Sequence, residues 1–144
     1  MNILSAVIAT TTAVIVVLQY GLARLRWRLD LYDKRYPVFA DTMGYIASIV
    51  RSAAVTLDQT SQFLRETMAK DFLFGHEVHD FLKSLYDKGV DLWTAQQVIN
   101  GKTRADEISR EARVHEAAAI QKWFGDQLGV AKTVFEPYLR IKRK

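Results

Sequence analysis

The sequence predicts an all-α fold: an N-terminal transmembrane helix followed by a helical bundle of about four helices. Three observations carry this reading. From Ile3 to Ala23 there is no charged residue. In the remainder, apolar residues recur at three and four rather than at two, the period of a helix and not of a strand. Pro37, Pro137 and the dipeptide Asn100-Gly101 fall at the ends of helical patterns, not between alternating strands.

The apolar stretch divides the chain first. At about 1.5 Å per residue, Ile3 to Ala23 reach roughly 31 Å, close to the ~30 Å hydrocarbon core of a bilayer. A helix satisfies its own backbone groups there, and Thr10, Thr11 and Thr12 are tolerable because a helical Thr hydroxyl can bond a carbonyl one turn back. A cleaved signal peptide fits less well, because the basic residues follow the apolar run rather than precede it. Residues 1–23 are therefore expected to be an anchor, with Ser5, Ala6, Ala9 and Ala13 offering a small-residue face for self-association.

Charge then places the rest. Tyr20, near the inner end of the span, and Trp27, just beyond it, suit the headgroup level. Arg24, Arg26 and Arg28 follow, then Lys34 and Arg35, whereas only Met1 and Asn2 precede the span. This asymmetry predicts a bacterial inner-membrane location with the N-terminus outside and the following domain cytoplasmic. Tyr20, Arg24, Arg26, Trp27 and Arg28 are the expected membrane-interface residues, and the lipid bilayer the first partner.

The net charge of +4 is unevenly spread. Residues 24–36 form a basic juxtamembrane helix, residues 37–139 the cytoplasmic bundle, and residues 140–144, with Arg140, Lys142, Arg143 and Lys144, a basic tail. Between 36 and 139 acidic residues outnumber basic ones, 14 to 11, so the basic excess sits at the two ends of a mildly acidic body. If the tail folds back, both basic ends would face the inner leaflet. The chain has no cysteine, which excludes disulfides, thiolate metal sites and cysteine catalysis.

Pro37 is expected to kink the first helix or to start a new one. A second helix would bury Phe39, Met43, Ile46, Val50, Ala53 and Leu57. Asp58 would cap a short helix over 59–70 with Phe63, Leu64 and Met68 inward. After the apolar junction Asp71 to Gly75, a helix from His76 to Ile99 carries Val78, Phe81, Leu82, Leu85, Leu92 and Ile99, with Gly89 a close-packed point. Asn100-Gly101 ends it, and Lys102, Thr103 and Arg104 form a polar loop. The last helix starts near Asp106, buries Ile120, Phe124, Leu128, Ala131 and Phe135, and ends at Pro137. Trp93 and Trp123 are candidates for a subunit contact, where large aromatics are favoured.

Chemistry-bearing patterns are sparse. No phosphate loop, dinucleotide fingerprint or serine elbow occurs, so no cofactor is expected. His76, Glu77, His79 and Asp80 gather at a helix start. The spacing departs from the metalloprotease pattern, and no metal is assigned there. Arg110 and His115 are separated by four residues, Glu111 to Val114, on the last helix. This spacing resembles the Arg-x4–6-His signature of HEPN proteins, small helical bundles that include many metal-independent ribonucleases. By that resemblance His115 would assist proton transfer at a ribose 2′-hydroxyl and Arg110 would stabilise the phosphate, with two copies meeting across a dimer interface. Five residues turn a helix through about 500°, which leaves the two side chains about 140° apart.

Four segments carry a broader resemblance: Leu31 to Phe39, Asp71 to Val78, Lys122-Trp123-Phe124 and Phe135 to Leu139. In this order they resemble a widespread uncharacterised family of small bacterial proteins with one N-terminal transmembrane helix and a cytoplasmic all-helical domain. The resemblance implies that architecture and no activity. The anchor, the helical domain and Arg110–His115 together are also similar in layout to membrane-anchored HEPN-like accessory proteins of CRISPR systems, which form pores. The leading expectation is a membrane-tethered helical interaction module that self-associates, with RNA or a protein as further partner. A ribonuclease using Arg110 and His115, and an oligomeric pore or defence effector, are the other two.

Overall fold

A computed structural model describes residues 3–101 and 106–140, apart from the side chains at 4–7, 68, 69 and 71. Among the described residues there are four α-helices, α1 (Ile3–Ser52), α2 (Leu57–Thr67), α3 (His76–Ile99) and α4 (Glu107–Leu139), with a 3-10 segment, Met68–Leu73, between α2 and α3. The all-α expectation holds. The loop at Lys102, Thr103 and Arg104, the tail beyond Arg140, the inward turn of Met68 and the small residues Ser5 and Ala6 lie outside the described residues or side chains.

The four helices run up, down, up and down. Gln96 of α3 donates from Nε2 to the Ala53 carbonyl just past α1, at 3.2 Å, and Gln121 of α4 donates to the same oxygen at 2.7 Å. The far end of α1 therefore lies beside late α3 and mid-α4. At the opposite end, Arg35 of α1 donates from Nε to the Leu73 carbonyl at 2.9 Å, and the Gly75 amide donates to the Tyr138 hydroxyl at 3.0 Å. The start of α3 and the end of α4 are thus brought against the middle of α1.

Pro37 does not break the chain. It lies inside α1, which runs unbroken for 50 residues. The proline forfeits one helical hydrogen bond, the one its N–H would have made. That loss is local, whereas Val38, one residue on, is fully buried and Phe39 packs its ring 5.5 Å from that of Phe135. Tertiary burial outweighs the missing bond. Pro137 likewise falls inside α4, two residues before its end at Leu139.

The buried stripe of α1 is Val38, Thr42, Tyr45, Ile46 and Ile49, rotated from the expected one. Val50, Ala53 and Leu57 are exposed, and the last two lie beyond the end of α1. Thr42 can be buried because its hydroxyl donates to the Val38 carbonyl at 2.7 Å. Ala53 adopts a left-handed conformation, φ 51°, that closes the helix, and the two glutamines hold its carbonyl.

The start of α2 is capped by Thr56, not by Asp58. The Gln59 amide donates to Thr56 Oγ1 at 3.2 Å and the Thr56 amide donates to Gln59 Oε1 at 2.9 Å, a reciprocal capping box. At the start of α4, Asp106 accepts from the Ser109 amide at 3.0 Å, as its position suggests.

The core joins α1, α3 and α4 through Ile46, Ile49, Leu82, Leu85, Leu92, Phe124 and Phe135, all fully buried. Tyr45 stacks on Phe63 at 4.2 Å and meets Phe124 edge-on. Its hydroxyl shares a hydrogen bond with Thr60 at 3.2 Å, and burial raises its pKa above the usual phenol value. Gly89 faces this hydroxyl, and a Cβ there would run into it. Trp93 and Trp123 pack on the core from half-buried positions, as does Leu128.

Candidate functional site

The first half of α1 is the most unusual surface of the molecule. Every side chain described from Ile8 to Asp30 is exposed, including Val14, Ile15, Val16, Val17 and Leu18. One helix is thus long and apolar enough to cross a membrane, with none of its apolar window buried in the protein. Exposed apolar area of this extent marks a surface made for lipid or for another protein. Within it Thr12 donates to the Ile8 carbonyl at 2.8 Å, so that hydroxyl is satisfied without water.

Tyr20, Arg24, Arg26, Trp27 and Arg28, the expected interface residues, follow on the same helix and are all exposed. The end of α4, as far as Arg140, returns to this level. Trp27, Arg28, Leu31, Tyr32 and Arg35 of α1 face Tyr138, Leu139 and Arg140 across a groove of about 360 Å³. Arg35 ties its upper end. Besides the Leu73 carbonyl, its guanidinium reaches the Tyr138 carbonyl at 3.5 Å and lies over the rings of Tyr138 and Phe74, 5.3 and 5.8 Å from their centroids. A signal for this face was present in the spacing of Arg24, Arg28, Leu31 and Arg35, which is i, i+4, i+7 and i+11 on one continuous helix.

The other candidates are not gathered into a site. Arg110 and His115 lie on the first turns of α4, where every side chain from Asp106 to His115 is exposed and Ile108 is 79% exposed. This length projects beyond Gln121, the α4 residue level with the end of α1. Among the described residues none encloses Arg110 or His115, and the low-dielectric surroundings that strengthen electrostatic catalysis are not built around them there. His76 and His79 line a shallow groove with Phe72, Phe74 and Gly75. Glu77 and Asp80 are exposed, and among the described residues no three His, Asp or Glu side chains converge as metal ligands.

Comparison with known protein families, curated proteins and solved structures gives no match. The fold and the site define a class by themselves: a four-helix bundle whose first helix extends, without a joint, into an exposed apolar rod.

Proposed function

We propose that the protein is a membrane-tethered helical interaction module that self-associates, with the apolar half of α1 in the inner membrane and the bundle in the cytoplasm. The observation that carries this reading is the apolar length of α1 before Arg24, uncharged and unburied by the rest of the chain. In water such a surface would be a liability for aggregation; in lipid it is solvated. Five Lys or Arg residues in the stretch 24–35 support the orientation, since basic flanks stay on the cytoplasmic side. Tethering to a surface raises the effective concentration of each bundle for its neighbours, which supports self-association.

Alkaline extraction of membranes from cells making the full-length chain tests the tether. The chain is expected in the pellet, and Val14→Arg should move a large share to the supernatant, because a charge at mid-bilayer costs about 2.5–3.5 kcal/mol. Recovery of the unaltered chain in the supernatant overturns the reading. Protease added to the cytoplasmic side should digest the bundle. Light scattering of the detergent-solubilised protein should give more than one copy per particle, and a monomer would remove the self-association.

A further inference from the structure

The groove between the juxtamembrane turns of α1 and the end of α4 has a charge pattern that selects a ligand. At about 100° per residue, Arg24, Arg28, Leu31 and Arg35 fall within a sector of about 60° on α1. Asp30 and Asp33, the acidic residues of this stretch, lie more than about 120° away from the centre of that sector. No carboxylate lines the groove, and Arg140 adds a third guanidinium from α4 to those of Arg28 and Arg35. The remaining walls are apolar or aromatic: Trp27, Leu31, Tyr32, Pro137 and Leu139.

The guanidinium groups are differently engaged. Arg35 is held by the Leu73 and Tyr138 carbonyls and supplies fixed charge from above. Arg140 pairs with Glu136 at 2.9 Å, but both side chains are exposed, and a surface pair of this kind is weak enough to yield to a phosphate. Arg28 sits on the opposite wall. Height fits as well: Trp27 and Arg28 stand about 6–8 Å beyond Ala23 along the helix, within the polar layer of about 5–8 Å that borders the hydrocarbon.

We propose that this groove binds the headgroup phosphate of an anionic phospholipid, with Arg28 and Arg140 as its donors and Trp27 against the glycerol. The proposal rests on the membrane-tethered reading and deepens it: the end of the bundle is fastened to the bilayer by a specific lipid as well as by the anchor. A planar guanidinium suits phosphate because two of its N–H groups can reach two oxygens together.

The test uses full-length protein in a neutral detergent, titrated with water-soluble dihexanoyl phosphatidylglycerol while the thermal midpoint is followed. Ligand that binds only the folded state raises the midpoint. The unaltered protein should respond, and Arg28→Gln with Arg140→Gln should bind about thirty-fold more weakly, from two basic contacts. A second double variant, Arg65→Gln with Lys122→Gln, removes the same charge from exposed positions outside the groove and should respond like the parent. Equal responses of the two double variants overturn the proposal, because they would make the effect one of net charge. Glycerol 1-phosphate and dihexanoyl phosphatidylcholine separate the sources. A response to free glycerol phosphate as large as that to the anionic lipid, or an equal response to the zwitterionic lipid, overturns the assignment to anionic lipid. Failure of the tether itself would appear in the alkaline extraction, which this titration does not use.

Discussion

The two halves of α1 belong to one helix and meet opposite fates. From Ile8 to Asp30 every side chain is exposed, while from Val38 to Ile49 a continuous stripe is buried against α2, α3 and α4. Both halves are rich in apolar residues, so hydrophobicity alone does not separate them. Arrangement does. Up to Ala23 the outer half carries no charge on any side, which suits a solvent that is itself apolar. The inner half confines its apolar groups to one face and turns Asp41 and Arg51 elsewhere, which suits a bundle with water behind it. The contrast shows that an apolar helix acquires its role from the distribution of side chains around its axis and from what the rest of the chain leaves uncovered.

The largest expected effect tests that contrast directly. Ile46→Ala, in the buried half, should lower the unfolding free energy of the detergent-solubilised protein by about 2–5 kcal/mol, the usual loss for a large aliphatic core side chain. Val16→Ala, in the exposed half, should leave it unchanged. A comparable loss at Val16 would mean that the rod is packed against something as tightly as the core, and would break the comparison. A middle-sized effect sharpens the picture of the buried half. Gly89→Ala should destabilise by about 1–3 kcal/mol despite the better helix propensity of alanine, because the methyl meets the Tyr45 hydroxyl. Tyr45→Phe removes that hydroxyl, so the double variant should recover part of the loss; strictly additive losses would place the strain elsewhere.

The smallest effect lies at the edge of the buried half. Burial raises the pKa of Asp41 above the usual carboxylate value, and repulsion from Glu66 adds to this, while Lys70 opposes it. The folded state therefore holds a proton on Asp41 more tightly than the unfolded chain does. Stability contributed by this group falls as pH rises from the unfolded carboxylate pKa through the raised folded one. At neutral pH Asp41→Asn should unfold at a higher temperature than the parent, and the advantage should shrink as pH is lowered toward about 4. Melts at the two pH values check the sign.

Much of this architecture was legible because it depends on local pattern. The uncharged run, the stripe from Val78 to Ile99, the faces of Phe124 and Phe135, the Asn100-Gly101 stop and the Asp106 cap are each set by residues within a turn or two of one another. The errors arose where distant packing decided. Pro37 is a breaker by local rules, yet the contacts of Arg35 before it and the burial of Val38 after it carry the helix through. The stripe expected after it, with Val50, Ala53 and Leu57 inside, follows a regular spacing, but α1 ends at Ser52 and burial follows Val38, Thr42, Tyr45 and Ile49 instead. Arg24, Arg28 and Arg35 share a face of the basic juxtamembrane helix. Arg140 could be read as part of a basic tail, but its meeting with Arg28 across a groove depends on the return of α4 over more than a hundred residues of chain. The Thr56–Gln59 capping box was readable and was passed over for the neighbouring Asp58.

The unbroken passage of α1 from rod to bundle has a mechanical corollary. Ser52 stands about 29 residues past Ala23, or about 44 Å along the axis, and no loop between them can absorb an angular change. In a bilayer, a tilt of about 20°, ordinary for a single span, would carry the top of the bundle sideways by about 15 Å. With its apolar arm in lipid the helix would be a lever, and local membrane thickness would set where the far end of the bundle, with the exposed first turns of α4, can reach.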